Sequence, residues 1–107
     1  MAFDCSDHGQ YKVLHLTGEV DLSNSSVVKK SLLKILEEGR SVIVDFSALT
    51  YIDSSGMATL VEGLNFANSR DLNLYIAGAV GAPLQVLELT RLNQVFNMVD
   101  AVEAVQE

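Results

Sequence analysis

Four consecutive residues, Asp53-Ser54-Ser55-Gly56, bring together a carboxylate, two hydroxyls and a glycine. An apolar run precedes them and an amphipathic helical pattern follows. This spacing puts the serines at a helix N-terminus and supports two kinds of chemistry. The first is capping: Asp53 or Ser54 accepts a hydrogen bond from first-turn amides, worth about 1 kcal/mol. The second is modification: a phosphate on a serine there meets the positive end of the helix dipole. A phosphoserine adds about −1.5 to −2 charges, which would repel an acidic or closely packed partner without unfolding the domain. Spacing alone leaves cap and switch both open. A third chemistry fails on pattern. A nucleophile elbow wants glycine two residues either side of its serine. Ser54 is flanked by Ile52 and Gly56, Ser55 by Asp53 and Met57, and both histidines precede the pair.

Other reactive residues are sparse. Cys5, His8 and His15 form neither an HExxH nor a CxxC pattern, so no metal is expected. His8 reads as a solvent-facing loop residue, and His15 as a hydrogen-bonded structural one. The seven glycines are dispersed and form no phosphate-binding loop, so no cofactor is expected. A net charge of −7 argues against nucleic acid and anionic membrane surfaces, which need basic patches. The lone Cys5 cannot form an internal disulfide, and its expected state is an inert thiol in a reducing compartment. There is no apolar run of about 18 residues and no secretory-type N-terminus. The expectation is a cytoplasmic, non-enzymatic protein of one domain, residues 1–107.

The elements that position Asp53-Ser54-Ser55-Gly56 follow from periodicity. Residues 3–8 read as an edge strand, Gly9-Gln10 as a hairpin turn, and 11–17 as a strand ended by Gly18. A loop rich in capping side chains, 19–26, leads into a helix whose stripe is Val28, Leu32, Ile35 and Leu36, closed by Gly39. Residues 41–46 form a central strand buried on both faces. The second helix carries Met57, Leu60, Val61, Leu64 and Ala67/Asn68 on its stripe; Gly63 inside it suggests close packing. Strand 72–77, a loop, and helix 84–92 with Pro83 at its first position come next. A short strand 95–99 and a terminal helix capped by Asp100 complete the chain. Strands alternating with helices imply an α/β fold with a largely parallel sheet and an antiparallel edge.

The segment VDFSALTYIDSSGM (44–57), with GEVDLSNS (18–25) upstream, resembles the STAS domain, closest to the anti-sigma-factor antagonists of bacterial partner-switching systems. The resemblance spans essentially the whole chain. It implies a small mixed, largely parallel sheet with helices packed mainly on one face. It also implies that the unmodified domain binds a serine-kinase anti-sigma factor and so releases the sigma factor. Phosphorylation would switch that binding off, and a metal-dependent serine phosphatase would restore it. By position the phosphoacceptor is Ser54. Asp21, Leu22 and Ser23 match the loop facing the kinase; Asp53, Ser55, Gly56 and Met57 match the rest of that surface. Met57-Ala58 stands where the family more often has Leu-Gly. Ser23 to Ser26 read as caps. An alternative within the same resemblance is a STAS subunit of an ABC-type lipid transport complex, docking on its ATPase without phosphorylation. A third is a scaffold or output domain of a larger signalling complex.

Overall fold

A computed structural model describes residues 3–106. Five strands form one mixed sheet in the order β1-β2-β3-β4-β5. They are β1 (Cys5–His8), β2 (Tyr11–Val20), β3 (Val42–Ile52), β4 (Leu74–Ala77) and β5 (Asn97–Val99). The first pair is an antiparallel hairpin and the other three are parallel. The parallel crossovers contain α1 (Ser25–Glu37), α2 (Ser54–Ser69) and α3 (Gly81–Leu89).

Alternation along the strands divides the buried residues into two layers. Leu14, Leu16, Val42, Val44, Phe46, Leu74 and Ile76 pack with Val28, Leu32, Leu60, Leu64 and Leu87 of the helices. The opposite face is thinner: Val13, Ile43 and Ala77 are covered by Val105 and flanked by Tyr11, Tyr75 and Val102. The two tyrosines meet edge to face, ring centres 5.8 Å apart. Helices therefore cover one face, as the family resemblance implied, and the C-terminal segment covers part of the other. Gly63 also plays the part expected of it, because a Cβ there would run into the Leu32 side chain where α2 crosses α1.

Several boundaries differ from the sequence reading. Gly18 does not end β2. It adopts φ +67°, and the β2/β3 register shifts on either side of Thr17-Gly18, so the strand bulges and continues to Val20. Likewise β3 continues past Phe46 to Ile52, because residues 48–52 pair with 17–20. β4 begins two residues later than expected, at Leu74.

Helix α3 spans Gly81–Leu89, three residues upstream of the expected 84–92, and Pro83 is its third residue. Gly81 at φ +59° allows the early start. Arg91 in the left-handed region stops the continuation, leaving Leu92–Gln94 as a separate 3₁₀ turn. The expected terminal helix is one 3₁₀ turn, Val102–Ala104; Ala101 rather than Asp100 precedes it, with no side-chain cap. A segment this short cannot offset the cost of helix nucleation. His8 is not a solvent loop residue. It ends β1, is half-buried, and its Nε2 donates to the Val105 carbonyl at 2.7 Å.

Candidate functional site

The parallel register pairs Val20 with Ile52, so β2 and β3 end side by side, and Asp21 and Asp53 are the next residues out. The Asp53 amide continues the ladder by donating to the Val20 carbonyl at 3.1 Å. Chain direction then reverses into α2 at once. This requires a close approach: a Cβ at Gly56 would lie 2.7 Å from Ile52 Cγ1 and 2.8 Å from Val20 Cγ1. Glycine there lets the helix begin directly on the strand ends.

The capping question resolves in favour of Asp53. It is the N-cap residue, extended at φ −101° and ψ −174°. Its Oδ1 accepts from the Ser55 amide at 3.0 Å, the Gly56 amide at 3.1 Å and the Ser55 hydroxyl at 2.6 Å. The Ser55 hydroxyl, then the Gly56 and Ser55 amides, hold the Asp53 carboxyl below the usual carboxylate range; the Leu22 backbone adds a smaller pull. The two serines are thereby separated. Ser55 is half-buried with its hydroxyl committed to Asp53. Ser54, the first residue of α2, is exposed, and its hydroxyl has no hydrogen-bond partner among the described residues.

The neighbouring loop is built by the same device. Asp21 Oδ1 accepts from the Ser23 amide at 2.9 Å and the Ser23 hydroxyl at 2.5 Å. Asn24 Oδ1 accepts from the Asp21 amide, and Asn24 Nδ2 donates to the Glu19 carbonyl. Asn24 is spent on the loop rather than on capping α1, which has no side-chain cap. The tight loop presents Leu22 to solvent at 80% exposure. An exposed leucine on a rigid loop is an available apolar contact.

The structure thus brings Asp21, Leu22, Ser23, Asp53, Ser54 and Ser55 to one end of the sheet. Gly56 and Met57 are buried; Gly56 positions the helix and Met57 belongs mainly to the core. Sequence reasoning missed an apolar groove of about 440 Å³ between α2 and α3. Ala58, Val61, Val86 and Leu92 line it, with Ser54 on its border. The sequence placed Val61 on the apolar stripe of the second helix, but its partial exposure in this groove appears only in the structure. Among the described residues, no three His, Cys, Asp or Glu side chains gather to hold a metal, and no helix is long and apolar enough to cross a membrane.

The family model for the STAS domain matches residues 3–105. The anti-sigma-B factor antagonist of Staphylococcus epidermidis is 26% identical over 97 residues, covering 90% of each chain. Among solved structures, an anti-sigma factor antagonist from Mycobacterium paratuberculosis superposes with a TM-score of 0.84 at 17% identity, over 96% of this chain and 88% of that one. The Bacillus cell fate determinant SpoIIAA superposes at 0.75 in its phosphorylated form, with 20% identity over 96% of this chain and 94% of that one. At these identities the structural matches establish the fold.

Proposed function

The chain belongs to the STAS domain family, and on that premise we propose that it is an anti-sigma-factor antagonist switched by phosphorylation of Ser54. In its bare form it binds a serine-kinase anti-sigma factor and so frees the sigma factor. The kinase transfers the γ-phosphoryl group of ATP to the Ser54 hydroxyl, and the modified protein dissociates. A serine phosphatase reverses the change. All of these proteins act in the cytoplasm.

The observation that carries this reading is the difference between two adjacent hydroxyls. A phosphoacceptor must reach a kinase active site, and Ser54 is exposed with an unengaged hydroxyl. Ser55 would first have to leave Asp53. A phosphate on Ser54 lies at the N-terminus of a 16-residue helix, where the dipole offsets part of its charge. It also stands beside the ionised Asp53 on a chain already carrying −7. The fold therefore tolerates the modification, while an acidic or closely packed partner surface does not. The names of the relatives point the same way.

Incubation with the cognate kinase and ATP tests the assignment. Peptide mapping by mass spectrometry is expected to find one phosphate, on Ser54. A phosphate found only on Ser55, or none at all, contradicts it.

A further inference from the structure

A second constellation lies away from the Asp53-Ser54-Ser55-Gly56 turn, on the sheet face opposite the helices. His15 Nδ1 is 2.7 Å from Asp45 Oδ2 on the adjacent strand, and His15 Nε2 is 2.7 Å from the Ser6 hydroxyl on the edge strand. Register accounts for the contacts: His15 pairs with Asp45, and Ser6 pairs with Val13, two residues from His15 on the same face. The proton positions follow from chemistry. Burial pushes the Asp45 carboxyl up, but hydrogen bonds from Ser47 and His15 outweigh it, leaving the group below the usual range and ionised. An ionised carboxylate only accepts, so His15 Nδ1 carries the proton. In the neutral ring Nε2 then has a free lone pair, and the Ser6 hydroxyl donates to it. Serine to imidazole to carboxylate is the connectivity of a hydrolytic triad.

The hairpin register supplies one further component. The His15 amide donates to the Asp4 carbonyl, while the Lys12 amide donates to Ser41 on the β3 side. Alternation along an antiparallel pair then makes Ser6–Val13 a hydrogen-bonded pair and turns the Asp7 amide to the open edge. That amide, one residue beyond the serine, is placed to donate to an oxyanion formed at Ser6. The Asp7 carboxylate is meanwhile engaged by Arg40 at 2.8 Å and Lys12 at 3.5 Å.

We propose that Ser6 and His15, with Asp45 as positioning residue, form a nucleophilic site that accepts acyl groups from small activated esters and thioesters. Ser6 Oγ attacks the acyl carbon as its proton passes to His15 Nε2. The tetrahedral intermediate collapses, the carbon–oxygen or carbon–sulfur bond to the leaving group breaks, and the leaving group takes that proton. Water attacks the acyl-Ser6 ester by the same route, so the net change is hydrolysis to a carboxylic acid and an alcohol or thiol. One amide and one imidazole give modest assistance, which restricts the substrates to those with good leaving groups. Ser6 is exposed at the sheet edge, so access needs no opening.

The test uses the purified chain and p-nitrophenyl acetate. The expected result is release of p-nitrophenolate with one acetyl group mapped to Ser6, and no such adduct in Ser6→Ala. His15→Gln should slow acetylation of Ser6 about a hundredfold, within the usual range for a lost general base. Asp45→Asn retains an acceptor for the Ser47 amide but offers His15 a donor, so the ring reverses its tautomer. Acetylation should then fall equally, with ¹⁵N NMR showing the ring proton moved to Nε2. Acetyl groups on lysines without Ser6, or Ser6 acetylated at an unchanged rate in His15→Gln, would overturn the proposal. His15→Gln decides the matter even if Asp45→Asn fails to fold.

Discussion

The two ends of the β2–β3 pair treat their polar groups differently. At the end near the β1–β2 turn, Arg40 donates to Asp7, the Gln10 carbonyl and the Tyr11 carbonyl, closing the hairpin against the start of β3. At the other end, Asp21 and Asp53 each tie their own loop together, yet each loop leaves one residue over. Leu22 is 80% exposed and Ser54 has an unengaged hydroxyl. Polar groups used up within the fold serve stability. Groups left over on rigid supports are available to a partner. The first end is a clasp, the second a presented surface.

Substitutions can separate these roles. The largest effect is expected at Ser54. Ser54→Asp should weaken binding of the proposed kinase partner on the order of a hundredfold, since a charge in a close interface costs several kcal/mol. Ser54→Ala should keep binding and escape modification. Both should unfold within about 0.5 kcal/mol of the parent, as exposed substitutions usually do. Denaturation alongside a binding titration reads both quantities.

Leu22→Ser comes next, with about a tenfold loss of affinity from a single apolar contact and no resolvable change in unfolding. Equal affinity would remove Leu22 from the partner surface. Arg40→Ala should do the reverse. It loses hydrogen bonds at the clasp, costing about 1 kcal/mol of stability, and leaves affinity unchanged. Lost affinity in a fully folded Arg40→Ala would break the comparison.

The smallest effect is in acid. Asp53 has its carboxyl held low in the folded state by the Ser55 and Gly56 hydrogen bonds. Its contribution is therefore complete above the unfolded aspartate pKa of about 3.9 and is lost as pH falls through the lower folded value. Asp53→Asn should flatten that acid limb in a pH series of denaturation curves. A limb as steep as in the parent would mean Asp53 is not the group that titrates.

What the sequence disclosed depended on whether a pattern was local. The α1 stripe, the β1–β2 hairpin and the strand-to-helix turn at Asp53 each follow from neighbouring residues. The second half of β3 did not. Phe46, Leu49 and Ile52 are buried at intervals of three, because register shifts in the ladder with β2 break the period of two. No one-strand pattern reveals a bulge set by its neighbour. Spacing did not separate Ser54 from Ser55, since two serines at a helix start look alike until one hydroxyl reaches the cap; the preference for Ser54 came only from the family resemblance. Ser6, His15 and Asp45 were invisible for a related reason: three strands must pair before they meet.

In the proposed switch, one exposed hydroxyl controls binding while the fold stays as it is. It is tested by the affinity of the proposed kinase partner for the bare and the Ser54-phosphorylated protein, titrated side by side. A loss on the order of a hundredfold is expected. Equal affinity of the two forms would contradict it.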